Sequence, residues 1–341
     1  MKKVLGIITA AAVLIGVVVF ILVGVNNNSD NNDNTNEKSD REASNVTYTK
    51  DGVPIPLGFY YVGGTKDTGV VISDNKKDEN RGDSHAVTTE MLGNQFVWIP
   101  VDSGELTRKS WGLYNWDVEN GATVKIEPGT DGVITDRTYY DEENPELYES
   151  VKKHKGFYVG RYETSYNGKK AFVERQGLET IMIDGVKYHD YEYDSASFET
   201  AKKLGAKYAA DHNVENSVAS TMLSGAQWDT ICLWLERSGY DVDNDSTSWG
   251  FYYDESKKDQ YAPDTGSQEF SKANNIYDFA GNKREWTLER RGTQDEYVVR
   301  GGEYGYFEYR VYGFSTSLKK ATERYVSSSS NVSFRIALYI K

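Results

Sequence analysis

The chain has 341 residues, with 39 Lys and Arg against 52 Asp and Glu, a formal net charge of −13. That acidic balance argues against duplex nucleic acid as a partner, because phosphate contacts need a basic surface. A single cysteine excludes an intramolecular disulfide, a paired-thiol redox centre and a multi-cysteine metal site. The 26 Tyr, beside 7 Trp and 12 Phe, favour strand and loop surfaces over a helical bundle.

Residues 4–25 form an apolar run in which Thr9 is the one polar side chain. A helix of about 20 such residues crosses a bilayer, whereas the apolar core of a cleavable signal is about 7–15 long. Lys2 and Lys3 precede the run, so the positive-inside rule keeps the N-terminus cytoplasmic and sends everything after Val25 outside. A cleaved signal peptide is the competing reading, with Ala10-Ala11-Ala12 as a candidate cleavage region. Residues 26–50 hold 8 Asn and 8 charged side chains, with Ala43, Val46 and Tyr48 as the apolar ones. Such a stretch cannot bury enough surface to offset its ordering entropy and reads as a disordered Asn/Asp-rich linker. Five basic and five acidic residues within 1–50 cancel, so the net charge belongs to a body at 51–341.

In that body, strands are expected at 58–62, 95–99 and 157–163. Insertions of loops and hairpins are expected near 102–155 and 241–272. Phe198, Ala201, Leu204 and Tyr208 share one helical face. A second helix opens with a Ser-x-x-Gln capping box at Ser224 and Gln227, carries Trp228, Ile231, Cys232 and Leu235 on one stripe, and closes at Gly239. The lone Cys232 is therefore a small core hydrophobe rather than a nucleophile. Alternation from Val332 to Ile340 gives a half-buried terminal strand. Two helices among many short strands make an α+β fold whose body termini lie close together.

Four segments then resemble one family. Gly156-Phe157-Tyr158-Val159-Gly160-Arg161-Tyr162-Glu163-Thr164, Met222-Leu223-Ser224-Gly225-Ala226-Gln227-Trp228-Asp229, and Asn275-Ile276-Tyr277-Asp278-Phe279-Ala280-Gly281-Asn282-Lys283-Arg284-Glu285-Trp286 are three of them. The fourth pairs Arg300-Gly301-Gly302-Glu303-Tyr304 with Ser333-Phe334-Arg335-Ile336-Ala337. In this order they resemble the formylglycine-generating-enzyme (sulfatase-modifying factor) domain, a variant of the C-type-lectin-like fold. The resemblance covers about 156–235 and 274–341, more faintly 51–100, and neither insertion.

It implies oxidation of a substrate cysteine by copper held between two cysteines shortly after the Gly-Gly turn. Counting forward, those places hold Tyr306 and Val311, so the fold is expected without that chemistry. His85, His154, His189 and His212 are scattered and give no non-haem iron site; neither copper nor iron is expected. The resemblance also implies a structural calcium at the Asp278 and Glu285 side chains and the Gly281 and Lys283 carbonyls, an oxygen set that suits calcium. The alternative is that Asp278 and Glu285 cap backbone N–H groups without metal. Asp241-Val242-Asp243-Asn244-Asp245 has Ser246 and Tyr252 where a calcium loop needs Gly and Glu, and reads as a solvated loop.

Between Gly302 and Val332, aromatic residues interleave with polar ones, a composition that offers contact area at little rotamer cost. Tyr304, Tyr306, Phe307, Tyr309 and Tyr312 are the candidate ligand-binding residues, in the region that varies in retroelement-diversified proteins of this fold. The expectation is a binding module on a bacterial cell surface, anchored through residues 4–25, with an extracellular protein or glycan as ligand. A metal-dependent oxidoreductase of the same family and a structural envelope protein are the alternatives.

Overall fold

Short runs of β-branched and aromatic residues, punctuated by Gly, Asn and Asp, build an α+β architecture dominated by antiparallel pairing. The computed structural model describes residues 45–82, 91–109, 111, 114–117, 122–125, 138–167, 169–174, 181–183, 186–188, 195–252, 263–294, 296–304, 319–326 and 332–341. All belong to the unit Asn45–Lys341.

Among the described residues, eleven strands form two large sheets: β1 (Tyr60–Gly63), β2 (Val71–Ser73), β3 (Gln95–Pro100), β4 (Tyr139–Asp141), β5 (Gly156–Gly160), β6 (Val218–Met222), β7 (Glu285–Arg291), β8 (Glu296–Arg300), β9 (Arg324–Val326), β10 (Ser333–Phe334) and β11 (Ile336–Ile340). The larger sheet is antiparallel throughout, in the order β6-β11-β5-β3-β2-β1. The second runs β9-β8-β7. The far edge of β7 is shared, its first two residues pairing in parallel with β10 and its last three antiparallel with β4.

Three helices complete the frame: α1 (Pro145–His154), α2 (Phe198–Asp211) and α3 (Gly225–Arg237). Each starts at a side-chain cap that satisfies a backbone N–H the helix leaves unpaired. Asn144 accepts from the Leu147 N–H with Pro145 in the first turn, and Ser197 accepts from the Thr200 N–H. Ser224 and Gln227 form the full reciprocal capping box. At the other end of α3, Gly239 takes φ +94° while Tyr240 N–H reaches back to the Leu235 carbonyl.

The larger sheet is covered on both faces, and its alternation sorts side chains between them. Phe96, Trp98, Tyr158, Ile336 and Leu338 pack with Phe198, Ala201, Leu204 and Tyr208 of α2 and with Trp286, Leu288 and Val299 of the second sheet. Val97, Ile99, Phe157, Val159 and Ala337 pack on the other face with Leu147 and Val151 of α1 and Trp228, Ile231, Cys232 and Leu235 of α3. Both amphipathic stripes read from the sequence are thus the buried faces. Each Leu or Ile taken fully from water in this way contributes about 1.5–3 kcal/mol before entropy is counted.

Three expectations need correction. Among the described residues there are three α-helices, not two: α1 lies inside the stretch read as inserted loops, where β4 and α1 both join the packed body. The terminal strand is not half-buried. It divides at Arg335 into β10 and β11, which enter different sheets, and β11 is buried on both faces because α1 and α2 lie on opposite sides of it. Sheets covered on both faces lose the inside–outside alternation that signals a strand. The ordered body also begins earlier than residue 51, since Val46–Tyr48 pair with Pro54–Pro56. The body's ends do meet: the Ser217 hydroxyl donates to the Leu57 carbonyl at 2.6 Å, and the Ser217 carbonyl accepts the Lys341 N–H at 3.0 Å.

Among the described residues no helix is long and apolar enough to cross a membrane; the apolar run at 4–25 and the linker up to residue 44 lie outside them.

Candidate functional site

The turn from Asp278 to Glu285 leads into β7 and is bent by a series of left-handed residues, Asp278 (φ 54°), Gly281 (φ 77°) and Asn282 (φ 56°). At Gly281 a Cβ would sit 2.2 Å from the Phe251 carbonyl oxygen, so close backbone approach and positive φ both demand glycine. Phe251 and the turn bind reciprocally, Phe251 N–H to Ala280 O at 3.0 Å and Asn282 N–H to Phe251 O at 2.7 Å. Gly281 N–H donates to Gly301 O at 2.8 Å, which ties the turn to the Gly-Gly segment after β8.

Three buried carboxylates surround this turn. Asp278 Oδ2 accepts from the Thr265 hydroxyl at 2.9 Å and the Gly266 N–H at 2.7 Å. Glu285 receives Arg335, Nη2 to Oε1 at 2.7 Å and Nε to both oxygens at 3.2 Å. Glu163, in the segment after β5, accepts from Asn282 Nδ2 at 3.3 Å and Lys283 N–H at 3.2 Å. Arg335 also donates to the carbonyls of Gly160 (2.9 Å) and Tyr277 (3.0 Å). Burial pushes all three carboxyls up. Glu163 is raised furthest, with Glu285 and Asp278 adding to burial and Arg335 and Lys283 opposing it.

The residues fit a hard cation in chemistry. The donors are all oxygens, and three carboxylates face one fully buried guanidinium, Arg335. Asn282 Oδ1 is buried in the same turn with no hydrogen-bond partner. Among the described residues, no three His, Cys, Asp or Glu side chains are grouped as a metal centre of their own. An ion here would therefore rest on one or two carboxylates and on the Gly281 and Lys283 carbonyls. Of the two, Asp278 caps a backbone N–H, that of Gly266, as the capping alternative expects, whereas Glu285 is held by the Arg335 side chain.

Of the candidate ligand residues, Tyr304 is placed in the core rather than on a face. Its ring packs on Phe251 with centroids 5.0 Å apart, its N–H donates to Asn282 O at 2.8 Å, and it is only 6 % exposed. Tyr306, Phe307, Tyr309 and Tyr312, and Val311 beside them, lie outside the described residues. Cys232 is fully buried on α3 and burial pushes its thiol far up, so it is no nucleophile. The Asp241–Asp245 loop is a turn closed by the Asn244 N–H on Asp241 Oδ1 at 2.9 Å, with Asp243 accepting from the Thr322 hydroxyl at 2.8 Å.

A second polar centre escaped the sequence reading. Arg108, Arg300 and Arg324 interlock with Asp141, Asp229 and Glu289. Arg300 spans Asp229 (2.7 Å) and Glu289 (2.8 Å), Arg324 spans the same two (2.7 and 3.0 Å), and Arg108 reaches Glu289 and Asp141. Burial alone would raise Glu289, yet Arg108, Arg324 and Arg300 together hold it far below the ordinary carboxylate range. Nothing in the sequence marked it: β7 carries Glu285, Glu289, Arg290 and Arg291 beside Trp286 and Leu288, a pattern that does not single out Glu289 as buried.

Comparison with protein-family models, with curated proteins and with solved structures gave no match.

Proposed function

We propose that residues 45–341 form a formylglycine-generating-enzyme-like variant of the C-type-lectin-like fold, serving as a binding module rather than an enzyme. One observation carries this reading: motif segments far apart in the sequence converge on the Asp278–Glu285 turn. Arg335 joins Glu285 to the Gly160 carbonyl, Glu163 holds the Asn282–Lys283 backbone, and the Leu223 N–H donates to the Arg335 carbonyl at 3.2 Å. The motif residues are used up as framework, bonded to one another and to the turn. The chain's single cysteine is sealed in the core. A thiolate copper pair therefore has no source, and what the framework leaves for function is the segment after the Gly-Gly turn.

In this reading residues 4–25 anchor the chain in a membrane, the body lies outside the cell, and Tyr306, Phe307, Tyr309 and Tyr312 contact a protein or glycan. The Asp278 and Glu285 side chains with the Gly281 and Lys283 carbonyls hold a structural calcium that neutralises the surplus carboxylates. A glycan and protein array read with wild type and with Tyr306→Ala/Tyr309→Ala tests the face: specific signals lost in the variant support it, and identical profiles refute it. Chelation by EGTA is expected to lower the thermal midpoint by several degrees, a calcium at 100 times its Kd being worth about 2.7 kcal/mol. An unchanged midpoint together with no heat on calcium titration dismisses the ion. Stoichiometric copper or iron in the purified chain would favour the oxidoreductase instead.

A further inference from the structure

Away from that turn, the C-terminal end of α2 meets the β2–β3 end of the larger sheet through polar side chains that the reading above does not use. His212 follows the last residue of α2. Its Nε2 lies 2.8 Å from the Ala171 carbonyl oxygen, which can only accept, so Nε2 carries a proton. In the neutral ring Nδ1 is then a lone pair, 3.4 Å from Asn94 Nδ2 and 3.6 Å from Asp74 Oδ2.

Asn94 fixes the other side. Its Nδ2 donates to Asp74 Oδ2 at 2.7 Å and its backbone N–H to Asp74 Oδ1 at 2.8 Å. Asn94 Oδ1 accepts from the Val173 N–H at 2.6 Å, which settles which way the amide points. The imidazole cannot swing away, being stacked on Tyr208 at 4.3 Å with Phe172 edge-on at 5.8 Å. The side chains of His212 and Asp74 are 11 % and 17 % exposed.

Other charged side chains among the described residues surround the pair. Asp74 shares the region with Asp78 and Glu174, and Asp211 adjoins the ring on α2. Against these stand Arg81 on Asp78 (3.6 Å), Lys207 on Asp211 (3.4 Å), and Lys170, whose Nζ donates to the Asp211 carbonyl at 2.6 Å. Burial pushes Asp74 up to about 6 against its bonds from Asn94, with Glu174 and Asp78 adding to the rise. Burial pushes His212 down, with Lys170 assisting and the Ala171 bond and Asp211 opposing.

We propose that Asp74, Asn94 and His212 form a one-proton latch that fastens the end of α2 to the β2–β3 end of the sheet in mild acid. Above the transition, Nδ1 is an acceptor facing the Asn94 amide. When the proton enters, Nδ1–H becomes a donor to Asp74 Oδ2 and an ion pair links the helix directly to the sheet. The two groups take up one proton as a unit, so neither has a midpoint of its own. The latch is independent of the binding reading.

The test is to follow the full chain from pH 8 to 4.5 by NMR, using the histidine ring nitrogens and the aspartate carboxyl carbons, with His212→Gln identifying the ring signals. Expected are a proton on Nε2 at pH 8 and one shared midpoint within the scan for the His212 ring and the Asp74 carboxyl. Midpoints more than one pH unit apart, or no change between pH 7 and 5, overturn the latch. In Asp74→Asn the His212 ring should lose at least tenfold in proton affinity; an unchanged His212 midpoint also overturns it. The wild-type titration decides the matter even if that variant does not fold.

Discussion

Arg335 and Glu285 show how far a single buried charge depends on its partner. Removing one member of such a pair leaves the other uncompensated, at about 3–5 kcal/mol. Arg335→Met is expected to destabilise the chain by that much in urea unfolding. Arg335→Met combined with Glu285→Gln should cost clearly less than the two single changes summed, the sign of direct coupling. Gly281→Ala is expected to be comparably damaging, because positive φ and the Phe251 carbonyl leave no place for a methyl group. The turn itself was legible, since Gly281 between Asp278 and Glu285 announces tight backbone and carboxylates at a fixed spacing. Arg335 as the partner of Glu285 was not. It lies 50 residues away, and an arginine in a sequence carries no sign of being fully buried.

The helices divide in the same way between local and distant information. The start of α3 was readable because the Ser224–Gln227 box is confined to four residues. Its second anchor was not: Asp141 of β4 accepts the Gly225 N–H at 2.6 Å and the Ala226 N–H at 2.8 Å, from more than 80 residues upstream. A carboxylate at a helix start also answers the positive end of the helix dipole. Ser224→Ala is expected to lower stability by about 1 kcal/mol. Asp141→Asn should cost more, since it also takes a carboxylate from Arg108; thermal unfolding of both variants checks the order. α1 was missed although Asn144-Pro145 is a proper start signal. Its ten residues are mostly polar and bury little beyond Leu147 and Val151, so periodicity was weak.

At the scale of the whole molecule, the buried ions make stability depend on pH in a definite direction. Glu289 is held far below its ordinary value, so its contribution is complete above about pH 4.5 and is lost as pH falls through its folded value. Glu289→Gln is therefore expected to be much less stable than wild type at pH 7, with the gap narrowing below about pH 4. Urea midpoints at pH 7, 5 and 3 check this, and a gap constant with pH would show that packing rather than charge is lost. None of that network was legible from sequence, because its members are drawn from positions 108 to 324 and meet only through the folded topology. The place of β11 carries a different consequence. This strand lies in the interior of the larger sheet, flanked by β6 and β5, so without it the edges of β6 and β5 that it joins would both stand unpaired. Residues 336–340 leave the ribosome after every described strand and helix they join. The larger sheet therefore stays open and adhesive until β11 is made, and then closes in one late, long-range step.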